Sequence, residues 1–380
     1  MNAQRKEARD LRENLRLIET FDFTQNERYQ ITFTKKSDIF LTTRNRLTKQ
    51  WSFRKGNLIK NFAPCGDNKN APMDLYNVGT DLNDDGNILA IACDDFSVEI
   101  WNLDSIERTI RFQVQKLKGS QSLHPYVSND GQRILLKFTG TGEVAELWDS
   151  QNGKKLADLT SKSAVCPTCN RTVYYANAFS PNGKIVAVSF GGMVFLWDAQ
   201  TGQLLHRLID ENAKLYGDAV LSHKGMVSQL IFTKDNKIVI TAAGDGTAKS
   251  WDVTTGRLVR TFSKHRYNIN HVALSPDERI LATASARDTF QLWNRETGEL
   301  IWNSPTIGRE VNYLSFSPDG KRILSRTDSK LTIWDLESRK SLEEISVPDE
   351  LYPNFSPDWR LFTGFDKKTK KIGLYEYLGR

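Results

Sequence analysis

Cys166 and Cys169, in the sequence Cys-Pro-Thr-Cys, form the strongest metal-binding pattern in the chain. Structural zinc takes four ligands, so two thiolates make only half of a site. Cys65 and His124 are candidates for the other half, since no second Cys-x-x-Cys occurs. The missing half favours the alternative, a tight turn with two free or reversibly oxidised thiols. Cys93 is interpreted as a small buried apolar residue, and we predict no bound metal.

Catalytic chemistry has little support in the sequence. A nucleophile needs a base and an orienting group within hydrogen-bond reach. His124, His206 and His271 fall in three separate segments, and no nucleophile motif lies beside any of them. No glycine-rich phosphate loop opens a helix. We therefore predict a protein that is not an enzyme and that carries no cofactor.

The elements that position these residues are repeated along the chain. One aromatic residue closes the same kind of short strand eight times, at spacings of 50, 47, 49, 54, 42, 41 and 41 residues. Asp or Asn follows six of these aromatic residues. The eight are Trp51, Trp101, Trp148, Trp197, Trp251, Trp293, Trp334 and Tyr375.

A tight-turn motif recurs in step with these aromatic residues. An apolar residue precedes Ser-Pro and then Asp or Asn in the copies that begin at Phe179, Leu274, Phe316 and Phe355. Proline sets φ at the first corner of the turn, and Asp, Asn or Gly suits the second. Short β-rich strands follow each turn, so each unit is predicted to be four strands joined by hairpins.

Four-stranded units of about 40–45 residues that end in Trp-Asp resemble WD40 repeats. The resemblance covers roughly residues 15–380 and implies an all-β fold, an eight-bladed WD40-type β-propeller. The last unit stops after its third strand, and residues 17–21 resemble residues 258–262. We therefore expect an N-terminal strand to close the last blade. Residues 1–14 are expected to be a charged leader, with a helix as its candidate structure, before a single propeller domain at 15–380.

The resemblance also implies a buried polar tetrad of His, a hydroxyl, Asp and Trp, which here is fragmentary. In the fifth blade it consists of His223, Asp245 and Trp251, with Ala243 in place of the hydroxyl. In the sixth blade it consists of His265, Ser285 and Trp293, with Arg287 in place of Asp. In the second blade Cys93 takes the hydroxyl position beside Asp95 and Trp101, and in the seventh Arg326 takes it beside Asp328 and Trp334.

Basic residues cluster in the loops that join the second and third strands of blades six, seven, eight and one. In a propeller these loops share one face, so the residues would form one arc that attracts an acidic partner. The predicted partner-binding residues are Arg44, Arg46, Arg287, Arg326, Lys330, Lys367, Lys368, Lys370 and Lys371. The competing interpretation is a solvated rim, because Lys-rich turns keep sheet edges soluble.

Composition narrows the functional classes without choosing among them. The chain has 380 residues, a net charge of +6, and four cysteines, too few for a disulfide scaffold. No run of about 18 apolar residues occurs, so we expect no membrane span and a cytoplasmic protein. The predicted function is a non-catalytic, monomeric scaffold that binds one or more proteins through its loops, including proteins with acidic segments. Binding of nucleic acid or an anionic surface through the basic arc is the alternative.

Overall fold

The computed structural model describes residues 15–22, 30–33, 39–44, 47–52, 57–62, 65, 79–93, 95–120, 122–139, 145–159, 176–214, 221–263, 265–286, 289–305, 310–327, 330–346, 356, 358–366 and 371–377. Within residues 15–62 it describes the course of the backbone. Side chains are described mainly between residues 79 and 344.

The described part of the chain is all β, with no helix among the described residues. The first strand, β1 (Leu15–Asp22), pairs antiparallel with the last strand, β31 (Lys371–Tyr377), which also pairs with β30 (Leu361–Asp366). These three strands are called sheet 8. The other strands form seven four-stranded antiparallel sheets, numbered here in chain order.

Strands that follow one another in sequence are neighbours within each of these sheets. Sheet 1 contains β2–β5 (Gln30–Phe33, Ile39–Arg44, Leu47–Ser52, Asn57–Phe62) and sheet 2 contains β6–β9 (Gly79–Leu82, Ile88–Ala92, Ser97–Asn102, Glu107–Gln113). Sheet 3 contains β10–β13 (Ser122–Val127, Arg133–Thr139, Ala145–Asp149, Lys155–Leu159) and sheet 4 contains β14–β17 (Asn177–Phe179, Ile185–Phe190, Met193–Asp198, Leu204–Leu208). Sheet 5 contains β18–β21 (Val227–Phe232, Ile238–Ala243, Ala248–Asp252, Leu258–Phe262) and sheet 6 contains β22–β25 (Ile269–Leu274, Ile280–Ser285, Phe290–Asn294, Leu300–Asn303). Sheet 7 contains β26–β29 (Tyr313–Phe316, Arg322–Arg326, Lys330–Asp335, Lys340–Ser346).

A buried hydroxyl locks the turn between the first and second strands of sheets 3 to 7, and the turn that leads into β30 of sheet 8. In sheet 6 the Ser275 hydroxyl donates to Asp277 Oδ1 at 2.6 Å and accepts the Ile280 N–H at 3.0 Å. Ser128, Ser180, Thr233, Ser317 and Ser356 make the same pair of bonds. The hydroxyl replaces water for backbone groups that the turn would leave unpaired. The repeated Ser-Pro-Asp pattern is therefore a turn-forming device.

Successive sheets from 2 to 7 pack face to face through separate apolar clusters. The tryptophan at the end of each third strand lies in the cluster shared with the preceding sheet: Trp148, Trp197, Trp251, Trp293 and Trp334. The Trp148 ring stacks on Phe112 of sheet 2 with centroids 4.9 Å apart. A buried aromatic of this size contributes several kcal/mol, about 3–5 when truncated to alanine. The recurring tryptophan is thus a repeated packing contact between neighbouring sheets.

The buried polar tetrad of sheet 5 does contain a hydroxyl. Thr241 supplies this hydroxyl, whereas the sequence analysis had expected it at position 243. The Trp251 indole N–H donates to Thr241 Oγ1 at 2.9 Å, and His223 Nε2 lies 2.6 Å from the same oxygen. Trp251 pairs with Val239 in the β-ladder, so the side chain two residues further on the same face is Thr241. A residue at 243 lies too far along the strand, which rises about 3.3 Å per residue.

Sheet 6 requires the same correction at Ser285. Thr283 Oγ1 lies 2.7 Å from His265 Nε2 and accepts the Trp293 indole N–H at 2.9 Å. The Ser285 hydroxyl is buried and has no hydrogen-bond partner among the residues that the structure describes. In sheet 7 the Trp334 N–H donates to Ser325 Oγ at 2.8 Å, so the hydroxyl there is not displaced by Arg326.

Sheets 2 and 3 use a buried glutamate in place of the hydroxyl. The Trp101 and Trp148 indoles donate to Glu99 and Glu146, which lie two residues before them. Arg108 and Arg111 pair with Glu99, and Lys155 pairs with Glu146 at 2.7 Å. A buried carboxylate needs such partners, because an unpaired buried charge costs several kcal/mol.

Cys65 and Cys93 form a disulfide, contrary to the interpretation of Cys93 as a small apolar residue. The bond joins the segment between sheets 1 and 2 to the end of β7, within an apolar cluster that contains Leu89, Ile91 and Leu103. Cys65 therefore has no free thiolate to offer a metal ion. Cys166 and Cys169 fall in a segment that the structure does not describe.

We predict that Thr283→Val destabilises the protein by about 2–4 kcal/mol, because the buried indole N–H and imidazole nitrogen lose their shared partner. Ser285→Ala, in the same strand, removes a hydroxyl without a partner and is the matched control. Its effect is expected to stay within about 0.5 kcal/mol. Thermal unfolding followed by circular dichroism measures both. A lower unfolding midpoint for Ser285→Ala than for Thr283→Val would contradict the assignment of Thr283 as the hydroxyl of the network.

We predict that Cys93→Ser destabilises the protein by about 3–4 kcal/mol, since the disulfide closes a loop across a sequence separation of 28. The comparison is made with Cys166 and Cys169 replaced by Ser in every sample. Reductant should lower the unfolding midpoint of the parent and leave that of Cys93→Ser unchanged. Mass spectrometry of the unreduced protein should recover a peptide pair linked at Cys65 and Cys93. Full alkylation of both thiols without reductant would refute the bond.

Candidate partner-binding surface

One end of sheets 4 to 7 carries a continuous band of backbone, called here the loop face. It contains the hairpins between second and third strands, together with the segments that lead into each first strand. The Gly192 carbonyl of sheet 4 accepts the His223 N–H at 2.9 Å, and the Ser285 carbonyl of sheet 6 accepts the Val311 N–H. Within sheet 5 the Gly244 N–H donates to the Met226 carbonyl at 2.8 Å. The loops of neighbouring sheets therefore hold one another in place.

Glycines permit this close approach between sheets. A Cβ atom at Gly192 would clash with the His223 carbonyl oxygen. A Cβ atom at Gly246, whose φ is +78°, would lie 2.8 Å from the His265 carbonyl oxygen. Only glycine fits at such contacts. The 244–246 hairpin consequently sits directly against the segment that leads into sheet 6.

The centre of this band in sheet 5 is a directed chain of hydrogen bonds. Burial lowers the pKa of His223, although Asp245 acts in the opposite direction, so the ring is neutral at pH 7. A proton on Nδ1 then donates toward Thr247 Oγ1 at 3.1 Å and Asp245 Oδ2 at 3.3 Å, and Nε2 accepts from Thr241. Asp245 also accepts the Lys224 N–H at 2.8 Å. The chain links the buried strand to the exposed segment 224–226.

Burial raises the pKa of Asp245, but the bonds from His223, Thr247 and Lys224 outweigh it and hold that pKa below the usual range. The carboxylate is therefore charged at neutral pH and ties the hairpin 244–247 to the leading segment. The geometry is that of a structural support.

A buried ion pair fixes the base of the long segment 209–221. Lys249 Nζ, in the third strand of sheet 5, donates to Asp210 Oδ2 and to the Ser222 carbonyl, both at 2.7 Å. Burial raises the pKa of Asp210, but the Lys249 and Asn212 hydrogen bonds outweigh this and lower it. Removing one partner of such a buried ion pair is strongly destabilising, because the other charge is left buried without a partner. The stretched loop between sheets 4 and 5 is thus anchored to the loop face.

Two apolar side chains stand out from this rigid band. Met226 is 49% exposed and Tyr267 is 43% exposed. They flank the 244–246 hairpin: a Cβ atom at Gly244 would lie 3.6 Å from the Met226 carbonyl oxygen and from Asn268 Cγ. Lys224, Arg266 and Asn268 are exposed beside them. These five residues, Lys224, Met226, Arg266, Tyr267 and Asn268, are called the sheet 5–6 patch.

Arg326 and Lys330 are the predicted basic residues whose side chains the structure describes. Arg326 contacts the first-strand side of sheet 7, and Lys330 contacts the fourth strand. Arg326 Nε donates to Asn312 Oδ1 at 2.9 Å, and its guanidinium lies over the Tyr313 ring at 5.2 Å. Lys330 Nζ pairs with Glu344 of the outer strand at 2.8 Å. The two side chains therefore do not meet.

The other predicted basic residues are described by their backbone or not at all. Arg44 ends β3 and Lys371 begins β31, both beside a hairpin between second and third strands. Arg46, Arg287, Lys367, Lys368 and Lys370 fall outside the described ranges. Sequence reasoning missed Met226 and Tyr267. One sequence feature could have indicated them: in each case an apolar residue lies between a structural histidine and the first strand of the sheet.

Two of the histidines that the sequence analysis left without a role, His206 and His271, have separate environments. Burial, and then Arg326, lowers the pKa of His271 to about 4, so the ring is neutral. Its Nδ1 accepts the Leu314 N–H at 3.2 Å and joins sheet 6 to sheet 7. His206 Nε2 lies 2.9 Å from the Thr254 carbonyl and joins sheets 4 and 5. In the part of the chain that the structure describes, no group of three or more His, Cys, Asp or Glu could hold a metal ion.

Comparison with known proteins agrees with this architecture. A family model described as "WD domain, G-beta repeat" matches residues 218–252, 256–294 and 304–335. COMPASS component SWD3 of Saccharomyces cerevisiae is 26% identical over 188 residues, which is 47% of this chain and 51% of that protein. Apoptotic protease-activating factor 1 of Homo sapiens is 27% identical over 176 residues, which is 46% of this chain and 13% of that protein.

Topless-related protein 4 of Arabidopsis thaliana is 26% identical over 160 residues, 38% of this chain and 13% of that protein. The match thus spans about half of SWD3 and a small part of the other two relatives. The repeated tryptophans, the four-stranded sheets and the family match lead to one conclusion: residues 218–335 of this chain carry WD40 repeats.

Proposed function

We propose that the chain is a non-catalytic, monomeric scaffold that binds other proteins through its loop face. The proposal includes a closed eight-bladed ring. Two observations support the ring: each sheet from 2 to 6 packs on the next, and β1 pairs with β31. The pairing with β1 covers an edge of β31 that would otherwise be unpaired. The described part of the chain has no helix with the length and apolar content needed to cross a bilayer.

The observation that carries the proposal is the sheet 5–6 patch. Two large apolar side chains are exposed within one rigid band and are flanked by two cations. Binding energy at protein interfaces concentrates in a few aromatic and basic anchors. A band held by buried networks loses little entropy on binding. The patch fits a protein segment with an apolar anchor and neighbouring Asp or Glu.

The named relatives support a role in assemblies. WD40 proteins generally act as protein-interaction scaffolds, and SWD3 is named as a component of COMPASS. Extending an interaction role to this chain rests on the shared repeats and on the exposed patch.

We predict that Met226→Ser with Tyr267→Ser lowers the yield of captured partners at least tenfold in pull-downs from native lysate. The reason is the loss of the two apolar anchors. The matched control is Val259→Ser with Leu342→Ser, which removes apolar side chains that are 50% and 55% exposed on outer strands. Quantitative mass spectrometry of nuclease-treated eluates measures the captured proteins.

Two results would overturn this proposal. One is an unchanged set of captured proteins with the patch variant. The other is an equal loss with the outer-strand control, which would place the interface on the outer edge of the sheets.

We propose that the basic arc extends this surface toward acidic segments of the partner. Its support is positional: Arg44, Arg326, Lys330 and Lys371 all border hairpins between second and third strands. We expect charge reversal at Arg44, Arg46, Lys367, Lys368, Lys370 and Lys371 to weaken capture and to reduce its salt dependence. Charge reversal at six exposed basic residues away from the arc is the control: Lys154, Lys184, Lys237, Lys321, Arg339 and Lys340. Equal effects of the two sets would make the arc a solvated rim.

The cytoplasmic location inferred from the sequence stays a prediction. The Cys65–Cys93 disulfide is a reason to test it, because disulfides persist mainly in oxidising compartments.

A further inference from the structure

The end of the sheets opposite the loop face surrounds a cavity of about 1010 Å³. This end, called here the turn face, carries the turns between first and second strands. Residues from sheets 2 to 7 line the cavity, so it is formed by successive repeats together. Its size is that of sites which hold drug-sized ligands or a few peptide residues.

Apolar side chains form part of the cavity walls. They come from the ends of the first strands, with Ala178, Ile231 and Ala273 each followed by a larger apolar residue. These side chains remain partly exposed, although comparable residues on the second strands are fully buried. The walls therefore offer apolar surface that a ligand could cover.

The rim of the cavity is acidic. Four carboxylates line it, those of Asp84, Asp85, Asp130 and Glu278, against one ammonium group, that of Lys234. Lys234 Nζ already donates to the Pro276 carbonyl at 2.7 Å. Across the described residues, Asp85, Asp130 and Glu278 take part in no ion pair.

This local charge is opposite to that of the whole chain, which is +6. Carboxylates around a mouth with apolar walls concentrate the electric field there, because the walls screen charge poorly. A cation that enters the mouth gains this attraction, and the aliphatic stem of Lys or Arg can lie along the apolar walls.

We propose that this cavity on the turn face docks a basic protein segment, with a Lys or Arg side chain at the rim and a small apolar residue against the walls. The site is separate from the loop face. The protein could then bind a basic partner at the cavity while an acidic partner is bound at the loop face.

The test uses the full chain and two fluorescein-labelled peptides, Lys-Ala-Arg-Ala-Lys-Leu and its counterpart with Glu at the three basic positions. Fluorescence anisotropy at low salt should show binding of the basic peptide alone. Asp85→Asn, Asp130→Asn and Glu278→Gln together should weaken that binding at least tenfold. The amides keep the acceptor oxygens that hold Ser128 and the Lys234 N–H, so the turns should still form.

The control variant is Asp104→Asn, Glu107→Gln and Glu296→Gln, which removes the same number of charges at exposed positions near turns between third and fourth strands. It should bind the basic peptide as the parent does. Met226→Ser with Tyr267→Ser should also bind it normally, which separates this test from that of the loop face. Binding weaker than 1 mM, or an equal loss with the control, would overturn the proposal. Competition by spermine at the same concentration as the unlabelled peptide would also overturn the proposal, because it would indicate a site for free cations.

Discussion

The rest of the structure depends on the indole that closes the third strand in sheets 3 to 7. Its ring fills the space between its own sheet and the preceding one, so each sheet is held by the next. In sheets 5 to 7 its N–H donates to a hydroxyl of the second strand. In sheets 2 and 3 it donates to a buried glutamate. Burial of the ring contributes to the free energy of unfolding, and in these five sheets the N–H bond fixes the register of the strands that carry the loops.

The proposed function depends on hydrogen bonds that connect the buried indole to exposed loop residues. In sheet 5 the indole of Trp251 is connected through Thr241 and His223 to Asp245, which holds the segment 224–226. Lys249 and Asp210 anchor the neighbouring long loop. The exposed Met226 and Tyr267 thus stand on backbone that is already ordered. Prior order of this kind favours binding, because less entropy is lost when the partner arrives.

The sequence predicted the repeating architecture well, because its signals are local. Trp spacing and Ser-Pro-Asp turns each lie within a few residues, and they indicated four-stranded sheets and WD40 repeats. The errors came from register and from long-range pairing. Thr283 and Ser285 face the same side of one strand, and only the ladder with β24 shows which hydroxyl meets the indole. The Cys65–Cys93 bond and the Arg326 contact with Tyr313 depend on segments brought together by folding. The sheet 5–6 patch was missed because neither Met226 nor Tyr267 belongs to a repeated motif.

The most direct test of the loop face as the interface is hydrogen–deuterium exchange of the chain, free and bound to a partner purified through it. Protection should increase in segments 223–228, 244–247 and 265–269, and outer strands such as β21 and β29 should exchange unchanged. Protection confined to the outer strands, or to the turn face, would contradict the proposed interface.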